Sequence, residues 1–148
     1  MPKKRKIYIG SDHAGFQLKE ELKEYLVKLG IAVEDLGNTK LEPLDDYPVY
    51  ALKVAKKVAQ TKSEGLLICG SGVGMCITAN KVKGVRAVNA YNQAIARASR
   101  QHNQSNILCF GQGYIKPAEA KKITKAWLET EYSSQNRHVR RVKKMNKL

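Results

Sequence analysis

The stretch LLICGSGVGM, residues 66–75, decides the fold, because a run of apolar residues passes directly into three alternate glycines. Four consecutive apolar residues, 66–69, are typical of a strand that is buried on both faces. Gly70, Gly72 and Gly74 then predict a tight turn. The expected helix follows at residues 75–81. A buried strand that leads through a turn into a helix is the repeating unit of a parallel α/β sheet.

The same unit recurs on both sides of this stretch. Further strands are predicted at residues 7–9, 31–36, 85–89 and 106–110. Helical periodicity predicts helices at residues 16–29, around residues 50–58, at residues 92–100 and at residues 118–128, and residues 37–48 form a polar loop. The alternation predicts an α/β fold, a three-layer α/β/α sandwich with a five-stranded parallel sheet that is Rossmann-like. The glycine spacing differs from G-x-G-x-x-G and follows the third strand, so no dinucleotide cofactor is expected.

Length and charge indicate one compact domain with basic ends. The 148 residues suffice for a single domain, 1–148, and the net charge is +14. Residues 1–6 hold four Lys/Arg and residues 137–148 hold six, which leaves 17 bases against 13 acids in between. We therefore expect a basic N-terminal arm at residues 1–6 and a basic helix or tail at residues 132–148. Val139, Val142 and Met145, spaced by three, favour the helix.

Composition also excludes several classes of protein. No apolar run approaches the roughly 20 residues of a membrane-spanning helix, and the first strand is too short for a secretory leader. The three cysteines, at positions 69, 76 and 109, are an odd number without a CxxC pair. They predict neither a disulfide framework nor a zinc site, and they favour the reducing cytoplasm. The body is nearly balanced in charge, so a nucleic-acid partner is not expected, although the basic ends would attract any polyanion.

Polar residues that follow the predicted strands are the first candidates for a ligand site, because ligands of open parallel sheets bind beyond the carboxyl ends of the strands. Asp12 and His13 follow the first strand, where they either bind a sugar hydroxyl and a phosphate or act only as a helix cap and turn. The glycines after the third strand either cradle an anionic oxygen with their amides or serve only the turn. Cys69, at the mouth of that turn, is either a reactive thiolate or inert packing.

Basic and titratable residues at two helix ends are a second group of candidates. His102 lies near the end of a predicted helix, where it is either a general acid or base or a complement to the helix dipole. Arg137 and Arg141 share one face of a helix and suit a phosphate group, although such a charge run is also typical of a solvated surface.

Seven motifs together resemble one known family, ribose-5-phosphate isomerase B, which also includes the allose-6-phosphate and galactose-6-phosphate isomerases. They span nearly the whole chain, in the order found in the family: GSDHAGF (10–16), DYP (46–48), ICGSGVGM (68–75), TANK (78–81), GVRAV (84–88), SRQHN (99–103) and NRHVRRV (136–142). The resemblance implies a five-stranded parallel sheet between helix layers and a homodimer with active sites at the interface, with a dimer of dimers as a further option. It also implies aldose–ketose isomerisation through a cis-enediolate, without metal or other cofactor.

The resemblance assigns roles to particular residues. Cys69 matches the base that takes the proton next to the carbonyl, and Ser71 matches the residue that moves protons between the two oxygens. The amides of residues 70–74, including Gly70, Gly72 and Gly74, match the cradle of the enediolate. His102, from the partner subunit, matches the residue that opens the sugar ring. The other matches are Asp12 for sugar hydroxyls, His13, Arg137 and Arg141 for phosphate, and Tyr47 and Asn103 for the pocket lining.

One departure from the family concerns phosphate binding. The family often carries an arginine in a Phe-Gly-x-Arg context, whereas this chain has Gly113 after Phe110, Gly111 and Gln112. Three consequences stay open: Arg140 compensates for the missing arginine, the pocket is reshaped for a longer sugar, or phosphate binding is weak. The resemblance as a whole predicts the interconversion of ribose 5-phosphate and ribulose 5-phosphate. The alternatives are a 6-phosphohexose isomerase or a noncatalytic sugar-phosphate or RNA binder.

Overall fold

The structure, a computed structural model, describes residues 5–148. Five strands alternate with helices along the chain: β1 (Lys6–Ser11), β2 (Ala32–Asp35), β3 (Glu64–Cys69), β4 (Ala87–Asn89) and β5 (Ile107–Gly111). The helices are α1 (Phe16–Lys28), α2 (Tyr47–Thr61), α3 (Val73–Ala79), α4 (Gln93–Asn103), α5 (Pro117–Glu129) and α6 (Asn136–Met145), with a 3-10 turn at His13–Gly15.

The strands form one parallel sheet in the order β2-β1-β3-β5-β4, which confirms the predicted α/β fold. Apolar side chains of α1, α4 and α5 pack on one face, and those of α2 and α3 pack on the other. Because β2 and β3 lie on opposite sides of β1, the strand order reverses there. In such sheets the ligand crevice lies at this reversal, beyond the carboxyl ends of β1 and β3 here.

The sequence of β3 explains its central place. Leu66 and Ile68 contribute to the core under α1, α4 and α5, whereas Leu67 and Cys69 contribute to the core under α2 and α3. Successive side chains point to opposite faces of a strand, so only a strand that is apolar throughout can be covered by helices on both sides. Each aliphatic side chain that is fully buried in this way stabilises the fold by about 2 kcal/mol.

The ends of the chain refine the predicted boundaries. The last two residues of the expected arm at residues 1–6 belong to the fold: Lys6 begins β1, and the Arg5 guanidinium donates to the Glu64 carboxylate at 2.6 and 2.8 Å. Residues 1–4 of that arm lie outside the described residues. At the other end a helix, α6, forms within residues 132–148; it buries His138 and Val142, while Met145 is exposed.

Two further observations complete the fold. The helix α2 begins at Tyr47, one residue before the predicted end of the loop, with Pro48 in its first turn, where a missing N–H costs nothing. Within residues 5–148, every helix is too short or too polar to cross a bilayer.

Candidate active site

Cys69 lies at the carboxyl end of β3, in the crevice that the strand order creates. Its side chain is only 4% exposed, and the N–H of Gly72 donates a hydrogen bond to Sγ at 3.1 Å. A backbone donor aimed at the sulfur stabilises negative charge there. The structure thus places the thiol against the glycine turn.

The turn after Cys69 requires glycine for steric reasons. Gly72 has φ +80°, and a Cβ there would lie 2.7 Å from the carbonyl carbon of Phe110. A Cβ on Gly111 would lie 2.4 Å from the carbonyl carbon of Ser71. The strand β5 therefore approaches the turn at backbone distance, which only glycines on both sides allow.

Not every amide of the turn is available to a ligand. The N–H of Gly72 donates to Cys69, and the N–H of Val73 donates to the Ser71 hydroxyl oxygen at 3.2 Å. The first hydrogen bond of α3 runs from Cys76 N–H to the Gly72 carbonyl. The N–H groups of Gly74 and Met75 precede that bond and have no acceptor within the helix, so they remain for a ligand, whereas those of Gly72 and Val73 do not.

The loop after β5 supports the turn from below. The Gln112 N–H donates to the Cys69 carbonyl at 2.9 Å, and the Gly113 N–H donates to the Gly70 carbonyl at 3.0 Å. A Cβ on Gly113 would lie 3.2 Å from that same carbonyl oxygen, a tight contact. The position at which the family often carries an arginine is thus used here for close backbone packing.

Asp12 and His13 lie beside the turn, at the end of β1. Asp12 is buried, and its carboxylate accepts from the Gly15 N–H at 3.2 Å, so it caps the 3-10 turn. Burial raises the pKa of Asp12, and the nearby imidazole of His13 only partly offsets this. The cap and the catalytic interpretation of Asp12 are thus compatible, because its second oxygen remains for a ligand.

Asp45 is a site residue that the sequence reasoning missed. Its Oδ1 lies 2.7 Å from His13 Nδ1 and accepts from the His13 N–H at 3.0 Å. This hydrogen bond raises the pKa of His13, so the protonated imidazole is favoured. Ligand-type atoms of Asp12, His13 and Asp45 lie within 4.8 Å of one another and could hold a cation, although the contact between His13 and Asp45 already uses two of them.

A buried lysine supports the loop that carries Asp45. Lys19, on α1, is fully buried; its Nζ lies 2.5 Å from an oxygen of Asp35 and also donates to the Asn38 carbonyl. Burial alone would raise the pKa of Asp35, but hydrogen bonds from Lys19 and Lys23 outweigh burial and leave that pKa below its usual value. The Asn38 side chain in turn donates to Asp45, so the buried pair is linked to His13 through three successive hydrogen bonds.

Tyr47 reaches the same corner from the first turn of α2. A Cβ on Gly74 would lie 2.5 Å from Cζ of the Tyr47 ring and 2.9 Å from its hydroxyl oxygen. The ring therefore lies directly on the Gly74 backbone, while 40% of the residue remains exposed. The structure thus brings Tyr47 to the glycine turn.

The other predicted residues lie in a second cluster. His102 and Asn103 are exposed at the end of α4, and Arg137 and Arg141 are exposed on α6, which packs beside α4. The imidazole of His102 lies against that of His138, with ring centroids 4.5 Å apart.

These two clusters lie at opposite ends of the strands: the first at their carboxyl ends and the second at their amino ends. Arg100, two residues before His102 on α4, pairs at 2.5 Å with Glu64, the first residue of β3, whereas Cys69 is the last residue of the same strand. At about 3.3 Å per residue the two ends of β3 are about 17 Å apart. One chain therefore does not bring His102 to Cys69.

Comparisons with known proteins identify relatives over nearly the whole chain. Residues 7–145 match the sequence model of a family described as Ribose/Galactose Isomerase. Ribose-5-phosphate isomerase B of Escherichia coli is 45% identical over 139 residues, 93% of this chain and 92% of that protein.

Two solved structures are similar throughout. Ribose-5-phosphate isomerase B of Clostridium thermocellum has a TM-score of 0.92 at 43% identity, covering 96% of this chain and 95% of that one. That of Mycoplasma genitalium, solved with bound ribulose-5-phosphate, has a TM-score of 0.92 at 39% identity, covering 96% and 94%. Sequence and fold thus agree over nearly the whole length, and the chain belongs to the Ribose/Galactose Isomerase family.

Proposed function

We propose that the protein is an aldose–ketose isomerase that interconverts ribose 5-phosphate and ribulose 5-phosphate. One observation carries the proposal: the sulfur of Cys69 lies at the carboxyl end of β3, where the strand order reverses, and accepts a hydrogen bond from the N–H of Gly72 in the glycine turn. The substrate is that of relatives at 39–45% identity, one of which was solved with ribulose-5-phosphate bound.

In the proposed reaction Cys69 acts as the base. Its thiolate takes the proton from C2 of the open-chain aldose, and the electrons of that C–H bond form the cis-enediolate. The thiol then returns a proton to C1, while Ser71 moves a proton from the C2 oxygen to the C1 oxygen. Amide donors such as the Gly74 N–H stabilise the negative charge that develops on the two oxygens.

The second cluster acts in the site of a second copy. We infer a homodimer in which His102, Asn103, Arg137 and Arg141 of one chain complete the crevice of the other. Support comes from their separation from Cys69 within one chain, and from exposed apolar residues next to the crevice. Val73 and Ile77 on α3 and Ile95 on α4 are 45%, 57% and 47% exposed. A two-fold axis would build two equal sites from such complementary halves.

The roles of the remaining residues are those that the family resemblance implies. His102 opens the furanose ring, and Asp12 holds sugar hydroxyls. His13, whose pKa is raised by its hydrogen bond to Asp45, binds phosphate together with Arg137 and Arg141. Arg140 is exposed on α6, and we assign it no role in this arrangement.

Domain organisation and location belong to the same proposal. A single domain over residues 1–148 is supported by one sheet that both helix layers share. The cytoplasm is supported by three free thiols, at Cys69, Cys76 and Cys109, which suit a reducing compartment.

A substrate panel tests the proposed function. We expect the highest kcat/KM with ribose 5-phosphate, for which the relatives are named, compared with allose 6-phosphate and galactose 6-phosphate, which share its reacting carbons but are one carbon longer. Loss of turnover in Cys69→Ala, with retained turnover in Cys76→Ala, would identify the base. A preference for a 6-phosphohexose would change the substrate but keep the chemistry, and no turnover of any sugar phosphate would refute the proposal.

A further inference from the structure

The contact between His102 and His138 joins two helices. His138 lies in the first turn of α6 and His102 in the last turn of α4; their ring centroids are 4.5 Å apart and their planes are inclined by 31°. Next to them, the Ser133 N–H donates to the Gln101 carbonyl at 3.0 Å, which fixes the segment before α6 to the end of α4. The two rings therefore meet in a geometry that the backbone defines.

The two imidazoles differ in their surroundings. His102 is exposed, whereas His138 is only 6% exposed and its Nδ1 is buried without a hydrogen-bond partner. A protonated ring would bury a charged N–H with no acceptor, which is more costly than a bare ring nitrogen. The burial thus favours the neutral ring of His138, with Nδ1 unprotonated.

The charges around His138 act in the same direction. The groups that face it are His102 from α4 and Arg137 and Arg141 from its own helix; together with burial, the larger cause, they lower the pKa of His138. The face of a neutral aromatic ring attracts a cation. A neutral His138 therefore gives the His102 imidazole a ring to pack on without placing a further positive charge beside it.

We infer that His138 is a positioning residue, whose neutral ring is the surface that fixes the orientation of the His102 imidazole. The inference rests on the proposed function, in which His102 opens the sugar ring. In that step the C1–O4 bond breaks, the ring oxygen takes a proton from His102, and the proton of the C1 hydroxyl passes to water. An imidazole free to rotate would meet the ring oxygen in only a fraction of its conformations.

The two directions of the reaction depend differently on this step. Ribose 5-phosphate in solution is closed into a furanose ring, so it must be opened before C2 can lose its proton. In ribulose 5-phosphate the C5 oxygen carries the phosphate and cannot close onto the C2 carbonyl, so this sugar is already in its open-chain form. A defect in the orientation of His102 therefore lowers kcat for ribose 5-phosphate more than kcat for ribulose 5-phosphate.

Three variants test the inference in the full-length protein. His138→Ala removes the ring, His138→Phe keeps a neutral ring without the nitrogens, and Val142→Ala is a matched control that removes a buried side chain from the same face of α6. We expect His138→Ala to lower kcat for ribose 5-phosphate at least about tenfold, as a misplaced reacting group does, and kcat for ribulose 5-phosphate less than about twofold. His138→Phe should retain most of the wild-type kcat in both directions, and Val142→Ala should show no difference between directions.

A spectroscopic measurement separates the inference from the proposed function. The chain has three histidines, so single variants assign their ring proton signals by NMR. The ring current of residue 138 should shift the His102 signals in wild type and in His138→Phe, but not in His138→Ala, whether or not the protein is an isomerase. If the alanine variant does not fold, His138→Gln takes its place in both measurements.

Several results would overturn the inference. These are equal losses in both directions for His138→Ala, an inactive His138→Phe, or His102 signals that do not respond to the loss of the ring. A large rise in KM for both substrates in both His138 variants, with kcat unchanged, would also overturn it, because His138 would then bind the phosphate itself. Wild-type protein without activity on either sugar would refute the proposed function alone, and the NMR comparison would still decide the position of His102.

Discussion

A hybrid dimer built from two inactive variants tests whether each active site is shared between chains. Cys69→Ala removes the sulfur at the carboxyl ends of the strands, and His102→Asn removes the imidazole at their amino ends. In a dimer with one chain of each kind, one site carries both substitutions. The other site takes an intact Cys69 from the second variant and an intact His102 from the first, so it is complete.

The arithmetic follows from this geometry. A purified hybrid should show about half of the wild-type activity with ribose 5-phosphate, and an equal random mixture of the two chains about a quarter, because half of its dimers are hybrids with one good site each. Co-expression of the two chains with different affinity tags, followed by purification over both tags, isolates the hybrid for a direct assay of ribulose 5-phosphate formation.

A matched pair provides the control. Cys69→Ala combined with Ser71→Ala places both substitutions in the same half of the site, so each site of that hybrid carries one defect and no activity should return. A Cys69→Ala and His102→Asn hybrid that is no more active than its parents would refute the shared site. Recovery in the control hybrid would refute it as well.

Three further predictions concern the supports of the site. Lys19→Met should lower the free energy of unfolding in urea by about 3 kcal/mol, because it leaves a buried carboxylate short of a partner, whereas Lys23→Met, at a partly exposed pair, should cost less than about 1 kcal/mol; equal losses would contradict this. Gly74→Ala should destabilise the wild type, because the new Cβ meets the Tyr47 ring at 2.5 Å, but stabilise a Tyr47→Ala background by up to about 1 kcal/mol through helix propensity; the same sign in both backgrounds, measured by urea unfolding, would argue against the contact. The pKa of His13 is raised, so its ion pair with Asp45 stabilises the fold fully below pH 6.5 and is lost as the pH rises through the raised pKa. The difference in unfolding free energy between wild type and His13→Gln should therefore shrink as the pH is raised from 6.5. A constant difference would exclude the ion pair.

The fold was predictable from the sequence because its central elements are defined by local pattern. The apolar residues 66–69 and the glycines after them leave little choice of structure, and β3 with its turn lies where they predict. Boundaries were harder at the ends of the chain. Arg5 and Lys6 resemble a solvated basic run, but the carboxylate that holds Arg5 is Glu64, which no local pattern connects to it.

The site was predictable in part for a similar reason. Asp12 directly follows β1 and Cys69 is the last residue of β3. Because these two strands are parallel neighbours, their carboxyl ends lie side by side. Asp45 was missed because its contact with His13 depends on the path of a polar loop, although the two adjacent aspartates, 45 and 46, before Tyr47 were a visible signal. The burial of His138 was hidden in a charge run, because the helical face on which it lies is set by packing on α4.

The most direct measurement follows hydrogen exchange at the reacting carbon. In D₂O, the wild-type protein should place deuterium at C2 of recovered ribose 5-phosphate and at C1 of the ribulose 5-phosphate formed, as followed by NMR. Cys69→Ala should lose this exchange by about 10² to 10⁴-fold, the range expected when a general base is removed, while Cys76→Ala exchanges normally. Exchange at the wild-type rate in folded Cys69→Ala would contradict the assignment of the thiolate as the base.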